Sequence, residues 1–381
     1  MIKTVLFDVD GVLLSEERYF DASALTVWEV LSSEQYLGLS PNEFKTQYTD
    51  NEIDEIRAQV FVQDEVLSFL KSCGLNANWD MIYLTAAYQI IHLLKQIKAT
   101  AKERITQWVT HEINRDVLLE MKEALAETKL TLNFGGFLKD FQGADATKAG
   151  LFAHLDKIAQ EKLGVDYTVF GEQGGLWSTC ELISQEWYVG DQYVLQSTGR
   201  SSVQLGKKGF LTDEKVLAEP EAITDLFQSL KEAGVQIGIG TGRPELETIE
   251  PFQHLGWLNH FNPNKIVTAD DVLAAEKVTE NHKGLSKPHP FTYVWALSNK
   301  QKSIPECLAT VFPIENGKET LIVGDSLADL LAARTMGCSF AAVLTGLSGE
   351  KAREQFEEYE ADYILDNVLA VKDLVLSLVE K

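Results

Sequence analysis

The 381-residue chain has no run of eighteen apolar residues and few cysteines, and both shortages exclude broad classes of protein. Without such a run, no membrane-spanning helix is expected. The four cysteines, Cys73, Cys180, Cys307 and Cys338, are far apart in sequence, so they match neither a zinc-binding spacing nor a disulfide framework. Residues 1–7 are too short and too soon followed by acidic residues for a signal peptide. We therefore expect a cytoplasmic protein.

Basic residues are also scarce relative to acidic ones. The chain has 34 Lys and Arg against 57 Asp and Glu, which gives a formal net charge of −23. A mean field of this sign repels nucleic acid and anionic membranes, so neither is expected as a partner. A small anionic substrate is not excluded, because it responds to the local field of its site. The sequence leaves protein partners and oligomeric state open.

Hydrophobic patterning divides the chain into a split α/β part and a helical part. After about residue 206, short apolar strands alternate with amphipathic helices, which predicts a doubly wound, Rossmann-like parallel sheet. Residues 2–7 are predicted to form another buried strand of that sheet. The sequence thus predicts a core of residues 1–20 and 206–381. Residues 21–205, which are mostly helical by periodicity, are predicted as a cap inserted after the first strand, a lid over the carboxyl edge of the sheet.

The same periodicities predict individual elements. Strands are predicted at residues 2–7, 235–240, 320–323, 340–344 and 363–365. Helices are predicted at residues 222–231 and 327–336 of the core, and at residues 81–98, 102–129 and 146–163 of the cap.

Residues suited to catalysis or anion binding follow the predicted strands at three places, and a lysine lies between two of them. In chain order they are Asp8 and Asp10, then Thr241, Gly242 and Arg243, then Lys287 before the proline-rich segment 288–290, and finally Asp325 and Asp329. Each group alone has an ordinary structural explanation, such as an acidic loop, a helix N-cap or a solvated lysine. The carboxyl ends of parallel strands meet at one edge of a sheet, so we expect the groups to converge there.

Convergence of Asp8, Asp10, Asp325 and Asp329 would require a cation. At about 5 Å and an effective dielectric constant of about 20, each pair of carboxylates repels by roughly 3 kcal/mol. An all-oxygen ligand set without His or Cys favours Mg²⁺, which keeps water ligands and binds a substrate phosphate. Lys287 can offset the remaining negative charge. The sequence therefore predicts a magnesium site at this edge of the sheet.

The four motifs, in this order, resemble those of the haloacid-dehalogenase-like (HAD) superfamily of hydrolases. The resemblance covers about half of the chain, and segments 345–346 and 361–363 are similar to those of phosphoglycolate-phosphatase-like members. It implies that Asp8 is the nucleophile that forms an aspartyl-phosphate. It also implies that Asp10 is the general acid that protonates the leaving oxygen and later the base that activates water.

The resemblance further implies how the substrate is bound. Thr241 is expected to hydrogen-bond the phosphoryl group, with the Gly242 N–H nearby and Arg243 in the same substrate-binding motif. Lys287 is expected to neutralise the phosphoryl oxygens. Arg18, just after the first motif, is a further candidate for substrate binding, although a surface ion pair is the simpler explanation.

The cofactor implied by the resemblance is Mg²⁺. Its expected ligands are Asp8, Asp325 and the backbone carbonyl of Asp10. Asp329 is expected either to orient these ligands or to bind the metal itself.

The predicted cap is much larger than the helical bundle usual in the family, which weakens any transfer of substrate specificity. A lid of this size favours a small phosphorylated metabolite over a phosphoprotein. Candidate selectivity residues in or next to the cap are Tyr19, Glu172, Gln173, Trp187 and Tyr188, each of which also has a packing or surface explanation.

The leading prediction is a Mg²⁺-dependent phosphatase that acts on a small phosphomonoester. The presence of Asp10 favours phosphoester cleavage, because a nearby carboxylic acid spares the leaving group from departing as an alkoxide. A phosphomutase with the same nucleophile is the nearest alternative. A non-catalytic binding protein that retains the fold is the third. The sequence does not name the substrate.

Overall fold

The computed structural model describes residues 1–75, 77–126, 128–279 and 284–379, which divide into two compact units. Unit 1 is formed by Met1–Glu16 and Leu211–Lys381, and unit 2 by Glu17–Phe210. We predicted these boundaries after residues 20 and 205, so they lie four residues earlier and five residues later than expected. In the described ranges, no helix combines the length and the apolar character needed to cross a membrane.

Unit 1 is built on a six-stranded sheet in which all neighbouring strands are parallel. The strands are β1 (Thr4–Phe7), β2 (Gln236–Gly240), β3 (Ile266–Val267), β4 (Thr320–Gly324), β5 (Ser339–Val343) and β6 (Tyr363–Leu365). Their order is β3-β2-β1-β4-β5-β6, so the first strand of the chain lies in the middle of the sheet. This order is that of a doubly wound fold, and the predicted α/β class is confirmed. We did not predict β3, because two residues are too few to show a pattern.

The helices follow in chain order through both units. Those of unit 2 are α1 (Glu17–Ser32), α2 (Asp50–Val60), α3 (Glu65–Ser72), α4 (Asn78–Gln96), α5 (Lys98–Val109), α6 (Arg115–Leu125), α7 (Gly136–Asp140), α8 (Lys148–Leu163) and α9 (Gly175–Thr198). Those of unit 1 are α10 (Pro220–Glu232), α11 (Glu245–His254), α12 (Ala269–Val278), α13 (Phe291–Leu297), α14 (Ile304–Leu308), α15 (Leu327–Met336), α16 (Arg353–Glu358) and α17 (Ala370–Val379).

Alternating side chains along β1 build an apolar layer on each face of the sheet. Val5 and Phe7 belong to a buried cluster that includes residues of α10 and α17. Leu6, between them, belongs to a second cluster that includes residues of α13 and α15. Successive residues of a strand point to opposite faces, so β1 is covered on both. In the parallel register, Phe7 pairs with Ile239 of β2 and with Val323 of β4, which brings the carboxyl ends of these strands together.

Unit 2 is helical, but the single helix predicted at residues 102–129 is wrong. The structure has two helices there, α5 and α6, separated by residues 110–114. The side chain of Asn114 accepts the N–H of Val117 at 3.1 Å and so begins α6 as its N-cap. Apolar residues keep a helical spacing across the break, and for this reason periodicity alone did not reveal it.

Helix α9 is interrupted at Gly190, where φ is +75° and ψ is 171°. The segment 207–210 passes directly beside this point, and the Asp191 N–H donates to the carbonyl of Lys207 at 3.0 Å. A Cβ atom on Gly190 would lie 2.5 Å from the carbonyl oxygen of Lys208. Both the backbone conformation and the close approach therefore require glycine.

Candidate active site

Asp8 is the first residue after β1, and its side chain is buried. Its Oδ1 accepts the N–H of Val9 at 2.8 Å, and its Oδ2 lies 2.6 Å from the Nζ of Lys287. Burial raises the pKa of Asp8 to about 7, with the charges of Asp329 and Asp10 acting in the same direction and Lys287 opposing them. The ammonium of Lys287 thus favours the ionised form that a carboxylate nucleophile needs.

Asp329 is fully buried in the first turn of α15 and is held by three side chains. Its Oδ1 lies 2.7 Å from the Nζ of Lys287 and accepts the hydroxyl of Tyr293 at 2.6 Å. Its Oδ2 accepts the hydroxyl of Ser326 at 2.6 Å. Burial disfavours the charged form of Lys287, but Asp329 and Asp8 outweigh that effect, and the pKa of Lys287 is raised. Lys287 is therefore a fixed cation between two carboxylates.

Three carboxylates form an oxygen cluster that suits a divalent cation. One oxygen atom from each of Asp8, Asp325 and Asp329 lies within 4.8 Å of the other two. The backbone packs tightly around Asp325, because a Cβ on Gly11 or Gly346 would lie 2.2 or 2.0 Å from its Oδ2. Burial, together with the charges of Asp8 and Asp329, raises the pKa of Asp325 well above its usual value. Carboxylate oxygens in this arrangement fit Mg²⁺, which prefers hard oxygen ligands.

The side chain of Asp10 is bound by a buried arginine. The Nε of Arg243 donates to Asp10 Oδ1 at 2.6 Å, and its NH1 group donates to Glu214 Oε1 at 2.7 Å. The same NH1 group donates to the carbonyl of Glu247 at 3.1 Å. Burial raises the pKa of Asp10, and the positive charge of Arg243 opposes that effect. Glu214 was not among the predicted site residues, because its irregular segment shows no periodic pattern and no motif.

Thr241 and Gly242 follow β2 directly. The Thr241 N–H donates to the carbonyl of Val267 at 3.0 Å, and its buried hydroxyl accepts the N–H of Arg243 at 3.1 Å. Gly242 is exposed, and a Cβ at this position would meet no atom within 4 Å. The turn after β2 thus combines a fixed threonine with an open glycine.

The predicted core residues of the site follow three neighbouring strands of the sheet. The carboxyl ends of β1, β2 and β4 carry Asp8, Asp10, Thr241, Gly242, Arg243, Asp325 and Asp329.

Arg18 lies in unit 2, in the first turn of α1. Its NH1 group is 3.1 Å from Asp21 Oδ2 and 3.0 Å from Asp50 Oδ1, and its guanidinium lies 4.8 Å from the ring centre of Phe210. Only 2% of the side chain is exposed. Substrate binding by Arg18 stays a prediction.

The five selectivity candidates also lie in unit 2: Tyr19, Glu172, Gln173, Trp187 and Tyr188. The rings of Tyr19 and Tyr188 stack with their centres 4.2 Å apart. The amide of Gln173 donates to the buried carboxylate of Asp80 at 2.8 Å. These contacts are internal to unit 2, and a role in selectivity stays a prediction.

A family model and several curated proteins are similar to part of this chain. A family model described as HAD-hydrolase-like matches residues 284–371. The pyrophosphatase PpaX of Bacillus mycoides is 32% identical over 155 residues, which are 41% of this chain and 59% of that protein. The pyrophosphatase PpaX of Anoxybacillus flavithermus is 30% identical over 155 residues, with the same two shares. The chain thus spans less than two thirds of the length of these relatives.

One solved structure is similar over the entire chain. It is an X-ray structure from the Northeast Structural Genomics Consortium with 36% sequence identity and a TM-score of 0.91, and the match covers 100% of both chains. The likeness therefore extends beyond the region of the family model and includes the helical unit.

Proposed function

Because the chain belongs to the HAD superfamily of hydrolases, we propose that it is a Mg²⁺-dependent phosphatase that hydrolyses a small phosphorylated metabolite through an aspartyl-phosphate. The observation that carries the proposal is the group formed by Asp8, Lys287, Asp325 and Asp329 at the carboxyl edge of the sheet. A nucleophilic carboxylate, a fixed cation and a set of oxygen ligands are the parts that phosphoryl transfer needs.

The reaction has two halves, each with a balanced proton transfer. In the first, an oxygen of Asp8 attacks phosphorus, the ester P–O bond breaks, and a proton moves from Asp10 to the departing oxygen. In the second, water attacks the aspartyl-phosphate while Asp10 takes up its proton. Inorganic phosphate leaves and the carboxylate of Asp8 is restored. Thr241 and the open turn at Gly242 supply hydrogen bonds to the phosphoryl oxygens.

Lys287 acts in both halves through its charge. Its Nζ, 2.6 Å from Asp8 Oδ2, favours the ionised form of the nucleophile and orients it. It also lies where negative charge accumulates on the transferred group. Asp329, with Tyr293 and Ser326 as hydrogen-bond donors, keeps Lys287 in place.

Mg²⁺ would be held by oxygens of Asp8 and Asp325, with Asp329 as a third carboxylate and the backbone carbonyl of Asp10 as the ligand that the family resemblance adds. When bound, it supplies positive charge that stabilises the phosphoryl oxygens in the transition state. Its fit is supported by the raised pKa of Asp325, since a buried cluster of carboxylates is relieved by a cation.

A cytoplasmic enzyme with a small-molecule substrate is part of the proposal. The four cysteines are free thiols and buried, which suits a reducing compartment. Inorganic pyrophosphate belongs among the substrates to be tested, because the similar bacterial proteins are named pyrophosphatases.

The test is phosphate release from a panel of phosphomonoesters and pyrophosphate, with Mg²⁺ and with EDTA. We expect Mg²⁺-dependent release by the wild type and a loss of at least about 1,000-fold in Asp8→Asn, because the amide is not a nucleophile. Asp225→Asn, which alters an exposed carboxylate paired with Lys372, is the matched control and keeps full activity.

Three outcomes would contradict the proposal. Full turnover by Asp8→Asn would exclude the aspartyl-phosphate. An isomerised phosphoester in place of inorganic phosphate would identify a phosphomutase, and no reaction with any substrate would favour a binding protein.

A further inference from the structure

Arg243 is a buried cation held by hydrogen bonds at both its backbone and its guanidinium. Its backbone N–H donates to the hydroxyl of Thr241 at 3.1 Å, and its carbonyl accepts the N–H of Ala269 at 2.8 Å. Its guanidinium donates to Glu214 at 2.7 Å and to the carbonyl of Glu247 at 3.1 Å. A planar guanidinium bound at several donors has little rotational freedom, so a further acceptor that binds it is held rigidly.

That further acceptor is Asp10, whose Oδ1 lies 2.6 Å from the Nε of Arg243. The side chains of Glu214 and Arg243 are almost fully buried, with 2% and 1% exposed, whereas 29% of the Asp10 side chain is exposed. A substrate can therefore reach Asp10 but not the guanidinium behind it. This arrangement differs from the substrate contact that we predicted for Arg243.

We propose that Arg243, held by Glu214, is a positioning residue that fixes the carboxyl group of Asp10 for proton transfer to the leaving oxygen. The inference rests on the proposed function. As the P–O bond breaks, its electron pair goes to the leaving oxygen, which takes the proton from Asp10. The carboxylate left on Asp10 remains beside the charge of Arg243.

The proposal singles out substrates with an alkoxide leaving group. An alkoxide is strongly basic and cannot depart without a proton, so its release depends on the placement of the acid. A nitrophenolate departs readily as an anion. Loss of the Arg243 contact should consequently slow alkyl phosphates far more than aryl phosphates, and alkyl phosphomonoesters are the substrate class for which this arrangement is built.

The test compares Arg243→Lys and Glu214→Gln with the wild type on 4-nitrophenyl phosphate and on glycerol 2-phosphate. For Arg243→Lys we expect kcat on the alkyl substrate to fall by about 100-fold, with a change of less than about 3-fold on the aryl substrate. Glu214→Gln keeps the volume and an acceptor oxygen, and we expect a smaller loss, about 10-fold, with the same selectivity. Arg334→Lys, in the last turn of α15 and paired with Asp362, is the matched control and leaves both rates unchanged.

Equal losses on both substrates, in variants with wild-type circular dichroism, would overturn the inference and indicate a merely structural role. A higher KM with an unchanged kcat would also overturn it, because it would indicate that Arg243 binds substrate directly. Restoration of alkyl turnover in Arg243→Ala by added guanidinium would support it. A wild type inactive on all substrates would instead defeat the proposed function and this inference with it, whereas an active wild type with unselective variants defeats the inference alone.

Discussion

The three carboxylates at the candidate site carry more negative charge than the one neighbouring lysine can offset. Asp8, Asp325 and Asp329 have carboxylate oxygens within 4.8 Å of one another, and Lys287 contacts two of these residues. Repulsion between buried like charges opposes folding. The site is thus an example of a local arrangement that favours ligand binding over stability.

The substitution Asp325→Asn tests whether repulsion between these carboxylates destabilises the folded protein. In EDTA at a pH near 8.5, we expect the variant to be more stable than the wild type by about 1 kcal/mol, because one buried negative charge is removed. We expect Mg²⁺ to raise the Tm of the wild type but not that of the variant, because binding to the native state stabilises it. Thermal unfolding in EDTA and in Mg²⁺ measures both effects. A variant less stable in EDTA would show that repulsion from Asp8 and Asp329 does not destabilise the folded protein.

The residue types at the site were predictable, but not all of their contacts. Asp8 and Asp325 could be found because each follows an apolar strand, and parallel strands end at one edge. The pairing of Arg243 with Asp10 was not predicted, since sequence gives a side chain's chemistry but not its direction. Glu214 was missed because its partner is 29 positions away in sequence, with nothing in the sequence to connect the two.

At the scale of elements, the interruption of α9 depends on one glycine. Gly190→Ala would force an alanine into a backbone region that only glycine tolerates and would place its Cβ 2.5 Å from the Lys208 carbonyl. We expect a loss of about 3 kcal/mol or more in the free energy of unfolding of unit 2. Gly199→Ala is the matched control: φ is +69°, but a Cβ would meet nothing within 4 Å, so a loss of about 1 kcal/mol is expected. Urea denaturation followed by circular dichroism measures both, and equal losses would show that steric contact at Gly190 is unimportant.

Elements with a strong local pattern were predicted well. The strand at 363–365 and the helix at 327–336 agree with β6 and α15, and the other predicted strands agree to within two residues at each end. Predictions failed where a local hydrogen bond begins a new helix although the apolar spacing continues, as at Asn114. The interruption at Gly190 was also not foreseen, because it depends on contact with segment 207–210, which no local pattern indicates.

For the whole molecule, the net charge of −23 predicts a stability that depends on salt. Raising the NaCl concentration from about 0.01 M to about 0.15 M shortens the Debye length from about 30 Å to about 8 Å and weakens self-repulsion. We expect the apparent Tm in EDTA to rise by a few degrees over this range. Thermal unfolding at several NaCl concentrations, repeated with sucrose as an uncharged control, is the measurement. A Tm that is unchanged or lower in NaCl would mean that stabilising surface ion pairs outweigh the net repulsion.

The position of β1 has a consequence for synthesis on the ribosome. This strand is made first, yet its two partners in the sheet, β2 and β4, begin only at Gln236 and Thr320. Unit 2, at residues 17–210, is one uninterrupted stretch whose contacts can all form before either partner has been translated. Nascent chains should therefore acquire a folded helical unit while the first strand is still unpaired. Formation of unit 1 then has to wait until β4 has been translated. A ribosome stalled before β4 would therefore carry a folded helical unit and an unpaired, apolar β1 that chaperones can bind.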